Sequence, residues 1–158
     1  MNDRSFLGRM KTFGRWRLIK SKDFIATILI FLVLSLVDRN IILSMNKEFL
    51  QISWQFSTAL LSVILAGFAI IIAFTDKDFI KFMKEAKAFD NILFLFEWNI
   101  YVTILVVILG VLISSFNSMI ILYPVYLFAF IYMFFSILCL ISFITFYGIK
   151  KGEFTQKK

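Results

Sequence analysis

Three ionisable side chains stand inside or at the edge of long apolar runs: Asp38, Arg39 and Glu97. A charge at membrane depth is costly, so it marks an ion or substrate pathway, or an interface where the group reaches water. Asp38 and Arg39 interrupt an apolar stretch that begins at Phe24 and resumes at Ile41, and Glu97 is the single charge between residues 91 and 122. These three are the candidate pathway or interface residues. For the first two a plainer reading competes: Arg39 snorkels to the headgroups while Asp38 pairs locally or caps a following turn. By topology, Asp38 and Arg39 fall near one membrane face and Glu97 near the other, and no carboxylate is expected at mid-membrane.

Other chemistry is sparse. The single cysteine, Cys139, cannot form an intramolecular disulfide, and without histidine there is no Cys/His metal cluster. No phosphate-binding glycine loop, GxSxG or HExxH pattern occurs. Catalytic residues, metal and cofactor are therefore all expected to be none, and an enzyme is not expected.

The elements that carry these residues are long and apolar. Hydrophobic residues make up 61% of the 158-residue chain and mean hydropathy is +0.89, against about 45–50% apolar residues in soluble domains. The fold class read from this is an all-α integral membrane protein. It should be a bundle of four transmembrane helices plus a short amphipathic cytoplasmic helix between helices 2 and 3. The spans are placed at residues 24–44, 56–74, 98–116 and 125–147, within a transmembrane domain of residues 24–148.

The first span is the least regular. Its uncharged run, residues 24–37, is 14 residues long, about 21 Å of helix against a hydrocarbon core of about 30 Å. It is therefore expected to continue through Asp38 and Arg39 to residue 44. Residues 45–55 read as an interfacial connection anchored by Trp54.

Span two, residues 56–74, is nineteen residues without a charge. Its small residues Ala59, Ser62, Ala66, Ala69 and Ala73 recur at spacings of 3, 4, 3 and 4, which stacks them on one helix face. Helices in lipid associate where small residues let backbones approach, so the stripe reads as a packing seam of the fold or of an oligomer. In span three, Gly110 and Ser114 form a small-xxx-small pair one face with Thr103. An interfacial lead-in is expected at residues 91–97, with the membrane boundary near Glu97 and Trp98. Pro124 suits the start of span four and Gly148 its carboxyl cap.

Between spans two and three, Phe79, Phe82, Met83, Ala86 and Phe89 fall on one face of a helix over residues 78–89, with Lys77, Lys81, Lys84 and Glu85 opposite. The segment 1–23 mixes seven Lys and Arg with Phe6, Phe13 and Trp16, a composition that suits an anionic leaflet. Nucleic acid is not expected as a partner, because a topology signal accounts for the same charges. The middle loop and the basic tail, residues 149–158, each hold four lysines, whereas the other two connections hold only Arg39 and Lys47. The positive-inside rule then places both termini and the middle loop in the cytoplasm, with the chain integral to the cytoplasmic (inner) membrane.

The layout, a basic tail and four helices with little extramembrane mass, is similar to that of small prokaryotic membrane proteins, four-helix effectors of antiphage systems among them. That architectural analogy implies a self-assembling, pore-type or membrane-perturbing effector. A non-conducting membrane subunit that recruits a soluble cytoplasmic protein is the alternative, and a small transporter the third. The expected partners are the anionic cytoplasmic leaflet, further copies of the chain and, on the alternative reading, that soluble cytoplasmic protein.

Overall fold

The computed structural model describes Gly8 and residues 21–37, 47–73, 88–116 and 121–156. Within them are four helices and no strand: α1 (Lys22–Val37), α2 (Lys47–Ala73), α3 (Ala88–Ser115) and α4 (Tyr123–Gln156). The absence of strands follows from the solvent. In hydrocarbon every backbone N–H and C=O needs an internal partner, and a helix supplies all of them within one segment.

Three helices are long and apolar enough to cross a membrane: Lys47–Ala73, Phe89–Ser115 and Tyr123–Ile149. Four were expected. α1 falls short because its 16 residues rise only about 24 Å. The expected continuation through residues 38–44, with Asp38 and Arg39, lies outside the described residues. So do residues 78–87 of the expected amphipathic helix, and most of the basic segment 1–23.

The other boundaries also move. Residues 47–55, read as a connection, are the first turns of α2, and residues 91–97, read as a lead-in, are continuous with α3. Gly148 does not end α4, which runs on to Gln156. Loop-like polarity at these points is overridden by packing: Leu50 and Ser53 on α2, and Ile92, Phe94 and Phe96 on α3, are all buried.

Local signals set two helix starts. The Phe24 N–H donates to Ser21 Oγ at 3.2 Å, so Ser21 caps α1, and Asp23 in the first turn complements the positive end of the helix. Pro124 occupies the second position of α4, where its missing N–H costs nothing.

α3 is the centre of the bundle, packed on α2 along one side and α4 along the other, while α1 packs on α4. Side chains are buried in two layers. Nearer the amino end of α4, Leu50, Val106, Ile113, Tyr123, Tyr126 and Met133 form one cluster. Nearer its carboxyl end, Ile64, Ile92, Phe96, Leu140 and Tyr147 form the other. Aromatic pairs tie α2 directly to α4: Phe49 to Phe130 at 5.8 Å and Phe56 to Phe134 at 5.6 Å between centroids.

The face of α2 used inside the chain is Leu50, Ser53, Ser57 and Ile64. It is opposite the small-residue stripe. Ala59, Ser62, Ala66, Ala69 and Ala73 are all exposed, so within one chain the stripe is not the surface that assembles the fold.

α1 accompanies only part of α4. The Phe24 ring lies edge-on to Phe128 and Tyr132, with centroids 6.0 and 5.9 Å away. Phe31, two turns later, lies edge-on to Phe128 at 5.6 Å. α1 therefore runs antiparallel to α4 and finishes near its amino end, leaving the half of α4 beyond Cys139 without α1 beside it.

The tightest approach is at Gly110, where an added Cβ would meet Trp54 Cβ at 2.6 Å and Tyr126 Cε2 at 3.2 Å. Gly110→Ala should therefore destabilise the bundle by about 1–3 kcal/mol, as overpacking does in tight cores. Gly67, with nothing within 4 Å, should accept Ala without loss. Thermal unfolding of both variants in detergent checks the contrast, and equal melting points would contradict it.

Candidate functional site

Polar side chains inside the bundle occupy two levels along α4. At its amino end, the Ser53 hydroxyl donates to the Leu50 carbonyl at 2.9 Å. Its only proton is thereby used, so in the close Ser53–Tyr126 contact the tyrosine hydroxyl is the donor. One turn on, Ser57 Oγ donates to the Ser53 carbonyl at 2.8 Å. Trp54, between them, keeps its indole N–H buried without a partner among the described residues.

The second level is built from α1, α3 and α4. The Trp98 indole N–H donates to the Tyr132 hydroxyl at 2.9 Å, joining α3 to α4. Accepting that bond leaves the Tyr132 proton for another acceptor. Asp23 stands in the first turn of α1. Phe24 packs on the same stretch of α4, and the buried Thr27 hydroxyl donates to the Asp23 carbonyl at 2.8 Å. On α3, next to Trp98, Asn99 donates through Nδ2 to the Leu95 carbonyl at 2.9 Å. Its Oδ1 is buried and lacks a partner among the described residues. Thr103 Oγ1 donates to the Asn99 carbonyl at 2.8 Å, and Ser136 is buried on α4.

The depth of this level follows from helix rise. Tyr123–Ile149 is 27 residues, about 40 Å of helix. Tyr132 and Cys139 stand nine and sixteen residues beyond Tyr123, about 13 and 24 Å along it. The amino end of α1, whose Phe24 ring packs on Phe128 and Tyr132, therefore lies within the apolar length of α4.

Of the residues singled out from sequence, Asp38 and Arg39 lie outside the described residues. Glu97 is half-buried on α3, one residue before the Trp98–Tyr132 bond. In the span-three set, Thr103 and Gly110 are buried and Ser114 is exposed. Asp23, Tyr132 and the Ser53–Tyr126 pair were not singled out. Comparisons with protein-family models, curated proteins and solved structures gave no match.

The cross-helix hydrogen bonds make a graded prediction. Tyr126→Phe and Ser53→Ala should each cost about 0.6 kcal/mol and at most about 1.7 kcal/mol, the range for hydrogen bonds between membrane helices. A double-mutant cycle should show the two losses coupled. Strict additivity would mean that the pair contributes nothing as a pair.

Proposed function

We propose that this small polytopic membrane protein self-associates through the small-residue stripe of α2 and acts as a pore-type or membrane-perturbing assembly. The observation that carries the reading is the two-faced character of α2. One face, Leu50, Ser53, Ser57 and Ile64, is spent inside the chain. The opposite face presents Ala59, Ser62, Ala66, Ala69 and Ala73, all exposed. Lipid has no use for small residues, whereas a second helix does. The Ser62 hydroxyl donates to its own Thr58 carbonyl at 3.3 Å, so the stripe offers a close approach without an unpaired polar group.

Ala66→Leu tests this. Crosslinked oligomers and ion flux in liposomes holding the protein alone should both fall. Retained assembly with lost flux would assign the stripe to the lining of the passage. Unchanged assembly and unchanged flux would overturn the proposal, leaving the stripe a lipid-facing surface.

The orientation proposed from the lysine and arginine distribution puts both termini and residues 76–90 on the cytoplasmic side of an inner membrane. In a Cys139→Ala background, Asn117→Cys should be labelled from outside by an impermeant reagent. Labelling from the inside alone would reverse the orientation.

A further inference from the structure

We propose that Asn99 and Thr103 of α3, with Ser136 at the same level of α4, form an internal site that binds one water molecule between the two layers of the core. The site lies within one chain and does not depend on self-association through α2.

The site stands where the core divides. Along the inward face of α3, Phe96, Asn99, Thr103, Val106 and Gly110 recur at spacings of 3, 4, 3 and 4, and all are buried. Asn99 and Thr103 are the polar members of this row, 1% and 0% exposed. On one side of Asn99, Phe96 belongs to the cluster that holds Ile64 and Leu140. On the other, Val102 and Val106 belong to the cluster that holds Leu50 and Met133. Asn99 is thus midway between the two clusters on α3. Ser136, also buried, falls between Met133 and Leu140 on α4. Asn, Thr and Ser occupy less volume than the Phe, Met and Leu on either side, so this is the level at which a polar lining and space for a water coincide.

The hydrogen bonds define the ligand. Asn99 Nδ2 donates to the Leu95 carbonyl at 2.9 Å. A carbonyl can only accept, so this bond holds the amide nitrogen against the helix and leaves Oδ1 as the free end. Oδ1 is buried and has no partner among the described residues, and a buried acceptor left unpaired is costly. The Thr103 hydroxyl spends its proton on the Asn99 carbonyl at 2.8 Å, so towards the bundle it offers only lone pairs. Side chains four residues apart on a helix have Cβ atoms about 5–6 Å apart, roughly twice the length of an O–H···O bond. A small molecule with two O–H donors on one atom bridges such a pair, and water is the smallest that does. Its own oxygen then accepts from the Ser136 hydroxyl, which can donate. An anion would face two acceptors here. An ammonium ion would meet no carboxylate on this row of α3 to offset the cost of its charge.

Magnetisation transfer from water, read by solid-state NMR, tests the site. The full wild-type chain, labelled with carbon-13 and nitrogen-15, is reconstituted in lipid with deuterated acyl chains. The Asn99 Cγ and Thr103 Cβ signals should build up several times faster than that of Val106 Cβ, which is equally buried and one turn away. Equal rates in the wild-type protein would overturn the proposal, and that reading needs no variant to fold. Asn99→Leu should slow the transfer to Thr103 to the Val106 rate. Fast transfer that persists in Asn99→Leu would come from the Thr103 hydroxyl alone and would overturn the assignment to Asn99. If Asn99→Leu does not fold, Thr103→Val takes its place: it removes one end of the bridge and should slow the transfer to Asn99, and an unchanged rate would overturn the bridge. Ala66→Leu should leave every rate as it is, which separates failure of this site from failure of the α2 interface.

Discussion

The bundle depends on one close approach, where Trp54 of α2 and Tyr126 of α4 both press on the bare backbone of Gly110 in α3. Any side chain at that position would hold the three helices apart. Dispersion contacts fall off steeply with separation, so small gaps would cost the flanking layers much of their packing. In lipid this matters more than in water, because helices gain little by hiding apolar surface that lipid already covers. The junction also sets register. With Gly110 level with Trp54 and Tyr126, the Ser53–Tyr126 bond, the Phe49–Phe130 pair and the Phe56–Phe134 stack can all form.

Register in turn decides what the polar residues can do. Most hydroxyls in the helices, Ser57, Thr58, Thr103, Ser142 and Thr145 among them, donate to the carbonyl one turn back. Such bonds need nothing from a neighbouring helix. Two bonds do: Tyr126 to Ser53, and Trp98 to Tyr132. Each pins α4 to a different helix at a different level.

α2 shows how one helix can serve two surfaces. Leu50, Ile64 and the hydroxyls at positions 53 and 57 face the bundle, and its alanines at 59, 66, 69 and 73 face away. Burial within the chain selects for volume and hydrogen bonding, because the partner surfaces are shaped around Trp54, Tyr126 and Gly110. A stripe without bulk can mate only with a surface that comes equally close, which fits a second copy better than it fits lipid.

The helical, membrane-embedded character of the chain was legible in the sequence alone, because uncharged runs of bilayer length have no other stable state in which their backbone groups are paired. The cap at Ser21 sits where the first apolar run begins, and Pro124 where the last one does. Gly110 was legible as a packing residue, though not its partner Trp54, which sits in a stretch whose polarity resembles a connection. The stripe on α2 was visible as a periodicity, but periodicity reports only that residues share a face. Which face turns inward was decided by volume complementarity with α3 and α4. The level of α1 was the least legible of all. Position along the chain says where its apolar run begins, and only the packing of Phe24 and Phe31 against Phe128 shows which stretch of α4 it lies beside. Depth is a relation between helices, and a one-dimensional pattern carries no term for it.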